Sequence, residues 1–520
     1  MLRIGRGAGR VALGGSAGMT GSARGAGRRA AAGGPRPERA RRAGADAAWQ
    51  ALAAGLDGLL LRPGEKEYTA ARKLFNPRFD AVRPAAVAYC AGPGDVAECL
   101  AFARRHGTPV AIRSGGHSYA GWSSGRDRLV IDVQKMDDVA GSGRSATVGA
   151  GAKLIDVYAG LSGHKRTIPA GTCPTVGVSG LALGGGVGVV ARAYGLTSDS
   201  VTAARVVTAD GRLREVSEDA DADLFWALRG AGGGNFGVVT SLEFRTHVAP
   251  SCQTFFLSWP WSRAAAVVRE WQRWAPMAPE EIWAHLHLSA PAGGRPGSVR
   301  MGGLSLGARR EVENHLDRLA GRVGAPASDH SLRRHSYLDA MKTMGGVSGW
   351  TLNQAHQAGT LPGRRKRGKV ARECYAARSD FYTRSLPPDG IRALLARVER
   401  LASLRGGGAG TVALDALGGA VNRPRPDATA FVHRSARFLA QYLVSWPDGA
   451  PAGTVTAHRD WLNTTHATMR PWASGFAYQN YADPALRDWR HAYYGPNAER
   501  LAKVKHAYDP DRLFSFPQAL

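Results

Sequence analysis

The hydrophobic and polar positions of this chain change their rhythm twice. Residues 83–90 form an apolar run short enough for a buried strand, residues 95–106 follow a helical pattern, and residues 110–113 are apolar again. Strand, helix of about a dozen residues and strand in that order predict a βαβ unit. Residues 129–132, 145–149, 201–208 and 238–244 read as further strands, and 47–61, 153–162 and 223–229 as helices, with a loop through 76–79. From Cys252 the runs lengthen and alternate, at 254–259, 283–288 and 438–444, with helical stretches between them. That texture predicts an antiparallel sheet carrying helices on one face. Residues 485–520 turn helical again and end in a proline-bearing tail. The fold class is therefore α+β.

Composition narrows the picture. A chain of 520 residues is too long for one simple core, and 44% hydrophobic content with 13 Trp, 14 Tyr and 14 Phe excludes wholesale disorder. The formal net charge of +26 raises the question of nucleic acid, but ten of the arginines crowd into the first 43 residues against the single acid Glu38. The rest is diffuse apart from the run Arg364-Arg365-Lys366-Arg367-Gly368-Lys369, and no finger, basic zipper or stacking motif accompanies it. Residues 1–45 are Gly/Ala/Arg-rich and read as a disordered basic arm outside the fold. No apolar run approaches the roughly 18 residues of a membrane span. The arm lacks the apolar core of an export signal, which leaves localisation open between cytoplasm and secretion. Five scattered cysteines make neither a disulfide framework nor a metal cage.

Several motifs have a plain structural reading. Gly232-Gly-Gly-Asn-Phe-Gly237 fits the letters of a dinucleotide fingerprint, but a helix precedes it and a strand follows, the reverse of what that site requires. It reads as a glycine-rich turn. His285 and His287 share one face of a strand-like run without a third ligand nearby, and read as a packing pair. Two residues look more reactive. His117 stands in the turn Ser114-Gly115-Gly116-His117-Ser118. Cys173 lies in a glycine-dense, almost uncharged stretch from Gly171 to Gly195. Ordering so many glycines costs backbone entropy, so that stretch predicts close approach of the backbone to a bend, another backbone or a flat ligand.

Four segments, in order, carry a resemblance: Arg113-Ser-Gly-Gly-His-Ser-Tyr119, Gly171-Thr-Cys-Pro-Thr-Val-Gly-Val-Ser-Gly180 with Gly184-Gly-Gly-Val-Gly188, Tyr478-Gln-Asn-Tyr-Ala-Asp483, and the tail from Tyr493 to Pro510. Together they resemble the berberine-bridge-enzyme-like flavoprotein oxidases of the vanillyl-alcohol-oxidase group, over about residues 70–520. The resemblance implies a PCMH-type FAD-binding domain at 70–250, a substrate domain at 251–480 with a large antiparallel sheet, and a C-terminal segment at 481–520 returning to the FAD domain.

It further implies FAD held by two covalent bonds, from His117 to the 8α-methyl and from Cys173 to C6, an imidazole and a thiolate being nucleophiles suited to an electron-poor ring. The flavin diphosphate is expected among the backbone N–H groups of Ser114, Gly115, Gly116 and His117, beside Arg113 and Ser118. Gly177, Gly180, Gly185, Gly186 and Gly188 are expected along the ring and ribityl chain, with Val239 near the adenine half and Tyr481 also at the cofactor. Tyr478 matches the family's catalytic tyrosine, with Asn480 on the same face if Tyr-x-Asn is a strand. Gln441 resembles a substrate-side hydrogen-bonding position, and Tyr119 a partner behind the linked histidine. Some relatives use a glutamate on a neighbouring strand as the base instead. Val176 matches the family's oxygen-gating position, where valine goes with oxidases.

The implied reaction is hydride transfer from an alcohol on a sugar or glycosylated metabolite to flavin, with reoxidation by O2 to H2O2. Amine oxidation with ring closure on an alkaloid-like substrate, or a dehydrogenase using another acceptor, is the alternative. An NADPH-dependent reductase relative is disfavoured by the cysteine position and the missing nicotinamide motif. The expected partners are a small-molecule substrate and O2, without nucleic acid, membrane or metal, in a monomer or homodimer.

Overall fold

Residues 36–294 and 296–520 are described by the structure, a computed structural model. The basic arm expected at 1–45 lies outside the described residues as far as 35. From Arg36 the chain is helical to Gly55, earlier at both ends than the expected 47–61. The helix ends on Gly55, a poor helix former, and Leu59–Leu61 becomes a strand against Ala86–Tyr89 instead. A Cβ at Gly58 would sit 2.0 Å from the Tyr89 carbonyl oxygen, so the chain enters this sheet only as glycine.

Residues 56–520 form one compact unit. The βαβ unit is present, with helix Pro93–His106 joining strands Ala86–Tyr89 and Val110–Arg113. These two strands are not neighbours. Leu129–Asp132 lies between them and pairs parallel with both, giving the sheet order 59–61, 86–89, 129–132, 110–113. All four residues of Ala86–Tyr89 and of Leu129–Asp132 are buried, as expected of parallel strands covered on both faces.

A second sheet is antiparallel, in the order Val139–Ser142, Ser145–Gly149, Gly237–Arg245, Val201–Thr208, Leu213–Ser217. The turn Gly232–Gly237 leads directly into its central strand, as its plain reading requires. The C-terminal tail returns here: buried Lys505 donates to the carbonyls of Asn235 (2.6 Å) and Phe514 (2.7 Å) and pairs with Asp509 (2.6 Å).

The largest sheet has seven strands, in the order Asp329–His335, Cys252–Trp259, Ser298–Ser305, Ile282–Pro291, Ala409–Ala416, Phe438–Trp446, Cys374–Tyr382. Every pairing in it is antiparallel. Helices Ala264–Trp274, Arg309–Val323, Pro388–Glu399 and Ala452–Met469 supply the apolar partners of one face, with Trp271, Leu286, Val412 and Tyr442 at the centre of the core. Successive side chains of a strand alternate faces, so the opposite face carries His285, His287, Asp415, Gln441, Tyr375 and Phe381.

Arg192, in the short helix Ala191–Tyr194, is 1% exposed. Its guanidinium donates to the carbonyls of Pro276 (2.7 Å), Ile282 (3.0 Å), Leu417 (2.5 Å) and Ala278. Gly418 and Gly419 give it room, since a Cβ on the first would lie 2.9 Å from Nη1 and one on the second 2.4 Å from the Arg192 carbonyl oxygen. The end of the glycine-dense stretch is thereby fastened to the end of strand Ala409–Ala416.

Candidate active site

Two loops meet back to back at a pair of glycines. One follows strand Val110–Arg113 and carries His117; the other precedes helix Val178–Leu183 and carries Cys173. A Cβ on Gly115 would lie 2.2 Å from the Gly177 nitrogen, and one on Gly177 only 2.0 Å from Ser114 Oγ. Ser114 and Ser179 both donate to the Ala150 carbonyl, each at 2.7 Å, which ties the loops from below. His117 reaches across to the second loop, with Nε2 2.9 Å from Thr175 Oγ1, and its ring stacks on Phe75 at 4.0 Å. Burial, helped by the nearby Lys153 ammonium, lowers His117 to about 3, so the imidazole is neutral at physiological pH. Cys173 is a free, half-buried thiol. A charge on its sulfur raises the Tyr119, Tyr375 and Tyr481 phenols, so all three lie within its electrostatic reach.

The glycines of the 171–195 stretch lie close mainly to protein. Gly184 packs on Asn480, Gly185 on Phe431, Gly186 on Thr197 and Gly188 on the Ala170 carbonyl, each so tightly that a Cβ would come within 2.7 Å. Gly185 and Gly186 also adopt φ of +108° and +82°, which only glycine holds without strain. Gly180 has open space where its side chain would be.

Those constraints shape a cradle for one oxygen. Tyr478 is 2% exposed, and its hydroxyl accepts from Gly186 N–H (2.9 Å), Val187 N–H (3.2 Å) and the Asn480 amide (2.9 Å). Its backbone N–H donates to Ser379 Oγ at 3.0 Å, pinning it to the largest sheet. Tyr478 and Asn480 do not meet by sharing a strand face, as expected. Residues Gln479–Tyr481 form a 3₁₀ turn, and the curl of that turn brings the two side chains together. Three donors suit a phenolate, which has three lone pairs to offer. Burial outweighs them and leaves the Tyr478 pKa raised.

Gln441 Nε2 donates to Tyr119 Oη at 2.7 Å, and Tyr119 stacks on Tyr481 at 4.9 Å, so these three expected site residues share one wall. Tyr481 in turn meets Tyr478 edge-on at 4.9 Å. Val176 is half-buried and its carbonyl accepts from Leu154 N–H. Ser118 Oγ accepts from Trp122 N–H, and Val239 is buried in strand Gly237–Arg245 at an irregularity in its pairing. Arg113 lies beneath its loop, 2% exposed and paired with Asp132, where its charge is already engaged.

Sequence reasoning missed Asp415. It stands in Ala409–Ala416, directly opposite His285 and beside Leu439, on the face that bears Gln441. Burial raises it to about 7, and its charge raises the phenols of both Tyr478 and Tyr481. The available signal was one carboxylate in an otherwise apolar alternating strand, Thr411-Val-Ala-Leu-Asp-Ala416. His285 and His287 stack face to face at 4.2 Å, and no cluster of three metal-ligating side chains occurs among the described residues.

The residues present fit a flavin. A neutral imidazole and a free thiol emerge from interlocked loops, next to a run of backbone N–H groups and a wall of tyrosines. Comparison with known proteins agrees. A family model described as "FAD binding domain" matches residues 84–217, and one described as "Berberine and berberine like" matches 477–520. The chain is 31% identical over 471 residues to the FAD-linked oxidoreductase YgaK of Bacillus subtilis, covering 89% of this chain and 97% of that protein. It is 30% identical to the chitooligosaccharide oxidase of Gibberella zeae, over 84% of this chain and 87% of that one. The solved structure of BBE-like 1 from Physcomitrella patens superposes with a TM-score of 0.80 at 28% identity, over 91% of this chain and 98% of that one.

Proposed function

The chain belongs to the berberine-bridge-enzyme-like FAD-linked oxidoreductases, and on that premise we propose that it oxidises an alcohol on a sugar or glycosylated metabolite and passes the electrons to O2 as H2O2. We assign residues 70–250, with the tail from 481, to holding FAD, and 251–480 to the substrate. His117 and Cys173 bond the flavin covalently, the backbone from Ser114 to His117 holds its diphosphate, and Tyr119, Tyr375 and Tyr481 flank it. Bound FAD supplies the hydride acceptor.

The observation that carries the alcohol reading is a buried phenol, Tyr478, held by three N–H donors and within electrostatic reach of the Asp415 carboxylate. An alcohol gives up a hydride only as its O–H proton leaves, so the site needs a base, whereas a neutral amine does not. Tyr478 takes the substrate's O–H proton as it gives up its own phenolic proton, and the three N–H donors steady the phenolate character that develops on its oxygen. Asp415, a carboxylate above about pH 7, stores the proton. Gln441, steadied by Tyr119, orients a further hydroxyl. The similarity to a chitooligosaccharide oxidase supports the same substrate class.

Mono- and oligosaccharides offered beside cyclic amines, with peroxide followed, test the reading: sugars give peroxide and amines do not. Slow reoxidation in air with fast reoxidation by a dye acceptor would sink the oxidase assignment and the gating role of Val176. Acid precipitation tests the linkage. Yellow colour stays with the polypeptide in the parent and in His117→Ala or Cys173→Ala alone, and leaves it only when both are replaced.

A further inference from the structure

Beneath the loop that carries His117 lies a charge used neither by the linkage nor by the proton transfer. Lys153 is 3% exposed. Its ammonium donates to the side-chain carbonyl of Gln134 at 2.6 Å and toward the backbone carbonyl of Ser114 at 3.4 Å, both neutral acceptors. Gln134 passes the contact on, donating to Asp132 from its amide (2.7 Å) and its backbone N–H (2.8 Å). Asp132 is already the partner of Arg113. Two cations thus share one carboxylate, and Asp137 and Asp156 act on the lysine only through their charge.

Leaving an ammonium buried without a bonded carboxylate costs several kcal/mol. Burial accordingly lowers Lys153 to about 8, yet that value leaves it mostly charged at neutral pH. Its placement is as particular as its charge. The backbone of Lys153 bridges to Gly177 in the Cys173 loop, and its ammonium holds Ser114 in the His117 loop. A third segment presses on the stem, since a Cβ on Gly363 would lie 2.9 Å from Lys153 Cε. Its charge is felt at the His117 imidazole.

We propose that Lys153 is a positioning residue for the cofactor: its ammonium is the buried counter-charge to the negative charge a bound flavin gains on reduction, and its contacts with Ser114 and Gly177 hold the His117 and Cys173 loops at the spacing the two linkages require. The proposal rests on reading His117 and Cys173 as the linkage residues. A fixed positive charge near a bound flavin favours added electrons, so it raises the reduction potential.

Lys153→Met and Lys153→Arg holoproteins, compared with the parent, test this through two readouts. One is the fraction of flavin retained after acid precipitation; the other is the midpoint potential from dye-equilibrated reduction. K153M retains less flavin and its potential moves to more negative values, while K153R recovers both. A folded K153M with parental thermal midpoint, parental retention and unchanged potential overturns the proposal. Should K153M fail to fold, Lys153→Gln keeps a hydrogen-bonding group without the charge and is judged by the same two readouts. Flavin lost on acid precipitation from the parent itself would refute the linkage reading, while the potential difference would still decide the role of Lys153.

Discussion

Tyr478→Phe lowers turnover by about 10²–10⁴-fold, the usual worth of a positioned general base. Flavin content stays near that of the parent, while the thermal midpoint falls because buried donors lose their acceptor. The substitution removes one oxygen and keeps the ring that packs against Phe381, Phe431 and Tyr481. It leaves the N–H groups of Gly186 and Val187 and the Asn480 amide without their acceptor. The same reaction depends on pH through Asp415. Its pKa is raised to about 7, so the carboxylate that stores the proton is present above that value and lost as pH falls through it. The kcat/KM profile therefore rises through about pH 7, and Asp415→Asn removes that limb as well as most of the rate. A profile flat from pH 5 to 8 in the parent would remove Asp415 from the reaction.

Arg192→Met destabilises the fold by about 3–5 kcal/mol, the range for breaking a buried charged network. Methionine fills much of the arginine's volume, so little of the loss comes from a cavity. The loss comes from the carbonyls of Pro276, Ala278, Ile282 and Leu417, which give up a charged donor together. Leu417 lies two residues beyond Asp415, and Arg192 four beyond Gly188. Slackening this fastening separates the Tyr478 cradle from the carboxylate, so kcat falls in Arg192→Lys even where the protein stays folded. Denaturant unfolding and steady-state kinetics on the two variants distinguish the stability effect from the positioning effect.

Local signals in the sequence fared unevenly, for identifiable reasons. Runs bounded by turn residues, such as 110–113 and 201–208, fall where periodicity predicts. The interposed strand Leu129–Asp132 was legible as a strand, but no local pattern says which neighbours it chooses. Strands Ser298–Ser305 and Asp329–His335 hide behind Gly302-Gly303 and a run of charged residues, and form because neighbouring strands demand partners. At the site, His117, Cys173 and Tyr478 stand in short motifs that a linear reading can find. Asp415, Lys153 and Arg192 are single polar residues in unremarkable surroundings, and their significance comes from burial and from what lies across from them. The glycine density predicts closeness to a bend, another backbone or a flat ligand; which of these each glycine meets depends on its fold neighbours, and most Cβ positions face protein, Gly184 making room for Asn480.

The hydrogen bond from Gly186 to Tyr478 joins residues 292 positions apart. A ribosome adding ~5–20 residues per second needs roughly 15–60 s between them. The loops that carry His117 and Cys173 have left the ribosome well before Tyr478 has been made. The oxygen cradle around Tyr478 therefore closes only once the last tenth of the chain has been made.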